Sequence, residues 1–211
     1  MSADEANTAL GMLEKDMKTW CTANKISSRI QGQLTKERIR TTTDSGYPKL
    51  KAKGAQTRYL MPYCLAIAQR FQRFDPVFAT HDLLIVGVNK LICDLYDLMQ
   101  TSGRFFSEAA KAKIIVIGNQ LPQLYMRLYA EAYNAGVKMW KMTPKVHLIQ
   151  ELLLYQCIVW GNPLYYWCYA DESLVGDMVE IAQSCHMATL TATALVKWLV
   201  LAFDCDREDE E

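Results

Sequence analysis

Residues 76–101 read PVFATHDLLIVGVNKLICDLYDLMQT, and Leu84, Val88, Leu91, Leu95 and Leu98 recur there at offsets of three and four. That spacing sets five aliphatic side chains on one stripe of a 3.6-residue helix, with Asp82, Lys90, Asp97 and Gln100 off it. The neighbours keep the same period. Ahead of it, Ala6, Leu10, Leu13, Met17 and Trp20 predict a helix over 3–23, with Glu14, Lys15 and Lys18 off the stripe. Leu60, Cys64, Ile67, Phe71 and Phe74 predict another over 55–74, with Pro62 kinking it or marking its start. Behind it, Ile114, Ile117, Leu121, Leu124 and Leu128 predict a helix over 107–135 with Ser107 as N-cap and Gly136 just past its end. Gly118 and Pro122 mark a kink in it or a break between two helices.

Thr143 before Pro144 is an N-cap with proline at the first helical position, so 144–157 is expected to be helical. The aromatic run 164–169 is expected to be extended, Asp171 to cap a helix over 172–185, and a last helix to span 190–203. Nothing alternates strand with helix as a parallel sheet requires. The fold expected is all-α, about seven helices with one short extended segment. It is a single domain over 1–203 with an irregular connection at 24–54, rich in serine, threonine and glycine, and an acidic disordered tail at 204–211.

The 211 residues are 51% hydrophobic, ample for a core, and carry no net formal charge. Seven cysteines, an odd count with no CxxC, argue against a disulfide framework or a structural zinc site and for free buried thiols, the pattern of an intracellular protein. The first residues lack the cationic start and apolar run of a secretory signal. No uninterrupted apolar run approaches the roughly 18 residues of a membrane span, so no membrane association is expected. GxSxG, phosphate-loop and dinucleotide patterns are missing, and Cys185-His186 are sequence neighbours that face apart, which disfavours a conventional metabolic enzyme.

The charge is unevenly spread. Lys25, Arg29, Lys36, Arg38, Arg40, Lys49, Lys51, Lys53 and Arg58 stand against only Glu37 and Asp44 over residues 25–58. Such a stretch can track a phosphate backbone, and a solvated loop is the plainer use of it.

The segment Trp140, Pro144-Lys145-Val146-His147, Gly161-Asn162-Pro163, Tyr166-Trp167 and Asp171-Glu172, with Gly176 following, resembles part of the DDE-type eukaryotic transposases, CACTA-like and related. It is the part that carries the third acid of their RNase H-like domain. In that family a tryptophan precedes Pro-Lys-x-His at a helix start, then come a Gly-Pro turn, aromatics and a glutamate that opens a helix. Here Glu151 stands where the family often has a second histidine, and Asn162 splits the Gly-Pro. The resemblance implies that Glu172 is the third acid, that the residues before the segment correspond to the helical insertion, and that the protein is nuclear. Two-ion chemistry needs several carboxylates, and residues 1–140 show no apolar strand ending in an aspartate. Activity in this chain alone is therefore not expected. No cofactor is expected either, and a divalent metal only if acids outside the chain complete its site.

Plainer readings accompany these residues. Asp171 and Glu172 in a first helical turn complement the helix dipole. His147 and Glu151 share a helical face, a spacing equally suited to a hydrogen bond, and no metal ligand is assigned. Of Tyr165, Tyr166, Trp167 and Tyr169, a core strand uses half and leaves half to stack on bases. The function expected is DNA association by a transposase-derived fragment through Lys36, Arg38, Arg40, Lys49, Lys51, Lys53 and Arg58. A helical protein–protein interaction module is the alternative.

Overall fold

In the computed structural model the described residues are 3–26, 30, 32–39, 46–48, 50, 54–166, 179, 181–186 and 189–197. The chain divides into two compact units, Met1–Tyr165 and Tyr166–Glu211. The first holds helices α1 (Ala3–Ala23), α2 (Lys36–Ile39), α3 (Gly54–Arg70), α4 (Ala79–Thr101), α5 (Glu108–Asn134) and α6 (Pro144–Glu151). A π-helical turn, Leu152–Gln156, continues α6 into α7 (Cys157–Val159), and a 3-10 turn, Pro163–Tyr165, follows. No strand occurs among the described residues, so the fold is all-α.

The antiparallel trio α3, α4 and α5 forms the centre, α4 packing against both others. Its stripe is buried at Leu84 and Val88 and half-buried at Leu91, Leu95 and Leu98. The facing stripe of α5 buries Ile114, Ile117, Leu121 and Leu128. Gly118 and Pro122 neither end nor split α5, which runs unbroken through both. Gly118 lies against the π-turn, where a Cβ would come within 2.8 Å of Leu154 and 3.0 Å of Leu153, so a glycine is needed for this close approach. The Ser107 side chain accepts the Ala110 N–H at the start of α5, as an N-cap does. By length and composition alone the helix over 76–101 is apolar enough to cross a membrane; here it is the middle member of the helical core.

Three expectations need correction. Phe71 and Phe74 do not continue the α3 stripe, because α3 ends at Arg70 and both rings stand in solvent. Asp82 is not on a solvent face. Arg73 folds over it, donating from its backbone N–H (2.9 Å), Nε (2.8 Å) and Nη2 (2.8 Å), and these bonds offset the cost of burying the carboxylate. Residues 163–165 are not extended but form a 3-10 turn, closed by the Tyr165 N–H donating to Asn162 O at 3.1 Å.

The connection 24–54 is more than a solvated loop. Ile30 and Leu34 are buried with Met17, Cys21 and Tyr63, and Ile26, Ile39 and Leu50 pack against that cluster. Glu14 of α1 accepts the Leu34 N–H at 3.0 Å. Asp16 accepts the Tyr63 hydroxyl at 2.9 Å and both Arg70 Nη groups, which joins α1 to α3. In the second unit, residues 181–183 and 190–197 are helical, Ile181 and Ala194 are buried, and Lys197 Nζ donates to Ser184 Oγ at 2.9 Å. The start of the 172–185 helix with its Asp171 cap, the end of the 190–203 helix and the tail 204–211 lie outside the described residues.

Candidate functional site

The segment from Gly136 to Ile149 is where local sequence chemistry and tertiary packing meet. Gly136 at φ 67° ends α5, and the Val137 N–H returns to Ala132 O at 2.8 Å. Trp140 then takes φ 57°, a left-handed conformation uncommon for a bulky residue. Its ring meets His81 and Tyr125 edge-on, at centroid distances of 6.4 and 6.1 Å. Beside it the Tyr125 hydroxyl donates to Lys141 O (3.1 Å), and His81 Nδ1 lies 3.0 Å from Glu131 Oε2, joining α4 to α5. Thr143 is extended and Pro144 opens α6, as the Thr-Pro pair predicts, but the threonine side chain makes no cap hydrogen bond.

This segment closes one side of a pocket of about 730 Å³. Its walls are Cys64, Ile67 and Ala68 of α3, Ile85, Val88 and Ile92 of α4, and Leu121, Pro122 and Tyr125 of α5, with Phe71 from the loop after α3. Trp140, Thr143, Lys145, Val146 and Ile149 complete it. Burial, with the Cys93 thiol nearby, pushes the Cys64 thiol up to about 11, so it stays a protonated, unreactive wall group. Asn89 Nδ2 is engaged by Ile85 O at 2.8 Å. The polar groups left over all come from one short stretch. Trp140 Nε1 is enclosed without an acceptor, the Thr143 hydroxyl caps nothing, and Lys145 has no hydrogen-bond or ion-pair partner among the described residues. No aspartate or glutamate lines the pocket.

Gly161-Asn162-Pro163 forms a clasp on the far end of α4. The Asn162 N–H donates to Arg104 O at 2.8 Å, and its fully buried side chain donates from Nδ2 to Met99 O (2.7 Å), Ser102 O and Gly103 O (both 3.2 Å). Oδ1 accepts the Leu164 N–H at 3.1 Å. Gly161 sits at φ 91°, where a Cβ would lie 2.4 Å from Arg104 O, so no other residue fits. The asparagine that splits the Gly-Pro pair is thus the cap that satisfies the last carbonyls of α4.

Of the other residues singled out in the sequence, Pro144, Lys145 and His147 lie together on α6, with Lys145 at the pocket and His147 exposed. Lys36 opens α2. Arg38 donates to Gln33 O at 3.2 Å. Arg58 lies over the rings of Tyr59 (5.4 Å) and Tyr96 (5.2 Å), joining α3 to α4. Arg40, Lys49, Lys51, Lys53, Trp167 and Glu172 lie outside the described residues. Among the described residues no three His, Cys, Asp or Glu side chains are grouped to hold a metal ion. The pocket was not foreseen from the sequence, since its wall residues read only as helix stripes. No protein-family model, no curated protein and no solved structure matches this chain.

Proposed function

We propose that this chain is a helical fragment of transposase-derived origin that associates with DNA through its phosphates and is catalytically incomplete by itself. One observation carries the reading: the basic stretch 25–58, nine positive residues against two negative, is threaded by anchors in the core. Ile30, Leu34, Ile39 and Leu50 pack with Met17, Cys21 and Tyr63, and Arg29, Arg38, Arg40, Lys49 and Lys51 are immediate sequence neighbours of those anchors. Charges tied to a folded surface lose less entropy on meeting a phosphate backbone than charges on a free loop. Binding of this kind is indifferent to sequence and nuclear in setting. Affinity for random duplex DNA should fall with salt at a log–log slope of about −0.9 per phosphate contacted, and the combined change of Lys49, Lys51 and Lys53 to Gln should flatten that slope. No binding at low salt, or a slope untouched by the triple change, would overturn the reading.

A second reading, a helical protein–protein interaction module, rests on the loop after α3. Phe71, Phe74 and Val77 are 67%, 84% and 77% exposed. Their backbone is fixed by the Arg73–Asp82 pairing and by Asp75, whose Oδ1 accepts the Val77 N–H at 2.8 Å. Apolar side chains held in solvent on an ordered loop suit a partner's apolar surface. A photo-reactive group at position 74 should give one discrete crosslinked species in cells, lost with Val77→Ser and not seen from exposed position 133. Diffuse or no crosslinking would leave DNA association as the sole reading.

A further inference from the structure

We propose that the pocket between α3, α4 and α5 is a binding site for a small amphipathic monoanion, an aliphatic or aromatic body ending in a carboxylate. The volume, about 730 Å³, lies within the range of roughly 300–1,000 Å³ typical of small-molecule sites. Its walls are aliphatic over most of their area, which suits the body of such a ligand. The polarity is confined to one end. There the Thr143 hydroxyl is uncommitted and the Lys145 ammonium is unpaired among the described residues. The N-terminal turn of α6 begins at the same point, its dipole favouring negative charge. With no carboxylate in the lining, a cationic head would find nothing to pair with, whereas an anion finds a hydroxyl, an ammonium and a helix start. Trp140 stands at this end too, its indole N–H without an acceptor and its backbone at φ 57°, two costs gathered on one wall residue. The site is separate from the basic stretch and does not depend on DNA association.

Calorimetric titration of the full chain with dodecanoate and with dodecyltrimethylammonium, both below their micelle thresholds, tests this directly. Dodecanoate should bind once per chain and at least tenfold more tightly than the cation. It should also move the Trp140 indole N–H resonance. Lys145→Gln, a change at an exposed side chain, should weaken dodecanoate about tenfold and leave the cation unchanged. Ala68→Leu, which extends a wall residue into the pocket, should weaken both, with the melting temperature reporting that the variant is folded. Should Ala68→Leu fail to fold, the Lys145→Gln comparison decides alone. Absence of saturable binding, equal affinity for the two head groups, or indifference to Lys145→Gln would each overturn the proposal.

Discussion

Replacing Asn162 tests whether the Gly-Asn-Pro turn holds the fold together. The side chain is wholly buried and its amide serves three carbonyls at the end of α4, while Oδ1 holds the Leu164 N–H. An amide nitrogen has two hydrogens, so the three donor contacts amount to two bonds, one shared; with the Leu164 bond the total is three. At about 1 kcal/mol for each bond lost, plus a small void, Asn162→Ala should cost about 3–4 kcal/mol. That is a large fraction of the roughly 5–15 kcal/mol that stabilises a domain. For a chain of this size it corresponds to a melting temperature lower by on the order of 10 °C. Asn162→Asp is the sharper change, because it keeps the shape and the acceptor but turns a negative oxygen toward three carbonyls. It should be at least as destabilising at neutral pH and recover part of the loss in acid, where the protonated carboxyl can donate. Thermal unfolding followed by circular dichroism reads both. A drop below about 2 °C for either variant at neutral pH would refute the clasp as a stabilising cap.

Gly161→Ala should destabilise far more than Gly136→Ala. Both glycines have positive φ, but a Cβ at 161 would collide with Arg104 O whereas one at 136 meets nothing within 4 Å, so only the left-handed penalty of about 1–2 kcal/mol applies there; equal urea midpoints for the two would contradict this. The Arg73 guanidinium beside Asp82 holds its carboxyl at about 2, below its value of about 3.9 in an unfolded chain. Because the folded value is the lower one, this contribution is complete above about pH 4 and fades as pH falls through about 2. Asp82→Asn should flatten the loss of stability over that interval, and an unchanged pH profile would show that the pair contributes nothing.

Much of the helical plan was legible because its signals are local. Leu84 to Leu98, Ser107, the Thr143-Pro144 pair and Gly136 each report on their own turn of chain, and the helices lie where they point. What escaped depends on tertiary partners. Asp82 looks like a solvent residue until Arg73, nine positions earlier, is brought over it. Phe71 and Phe74 continue the α3 period in sequence, but Asp75 and Arg73 turn the backbone away before them. Pro122 reads as a helix breaker, yet it is buried in an unbroken α5 as part of the pocket wall. The pocket itself could not be read, since it is the space left where three stripes meet, and a stripe shows which side is apolar without showing how closely it is filled. Trp140 carried a signal only through its place in the transposase-like pattern; its left-handed backbone is not written in its residue type.

The π-helical turn has a bearing on how such a chain can change over time. The Cys157 N–H reaches back five residues to Leu152 O, so this stretch holds one residue more than an α-helix would between the same points. Removing any one residue from 152–156 would restore regular winding, yet swing everything downstream by about 100° and draw it back about 1.5 Å. Leu153 and Cys157, both wholly enclosed, could not then face α5 together, and Gly161 and Asn162 would leave the carbonyls of Met99 and Arg104. The surplus residue therefore acts as a phase setting: it brings two distant anchorages, one on α5 and one on the end of α4, into angular agreement along a single rod. Length in this stretch is consequently held more tightly than residue identity.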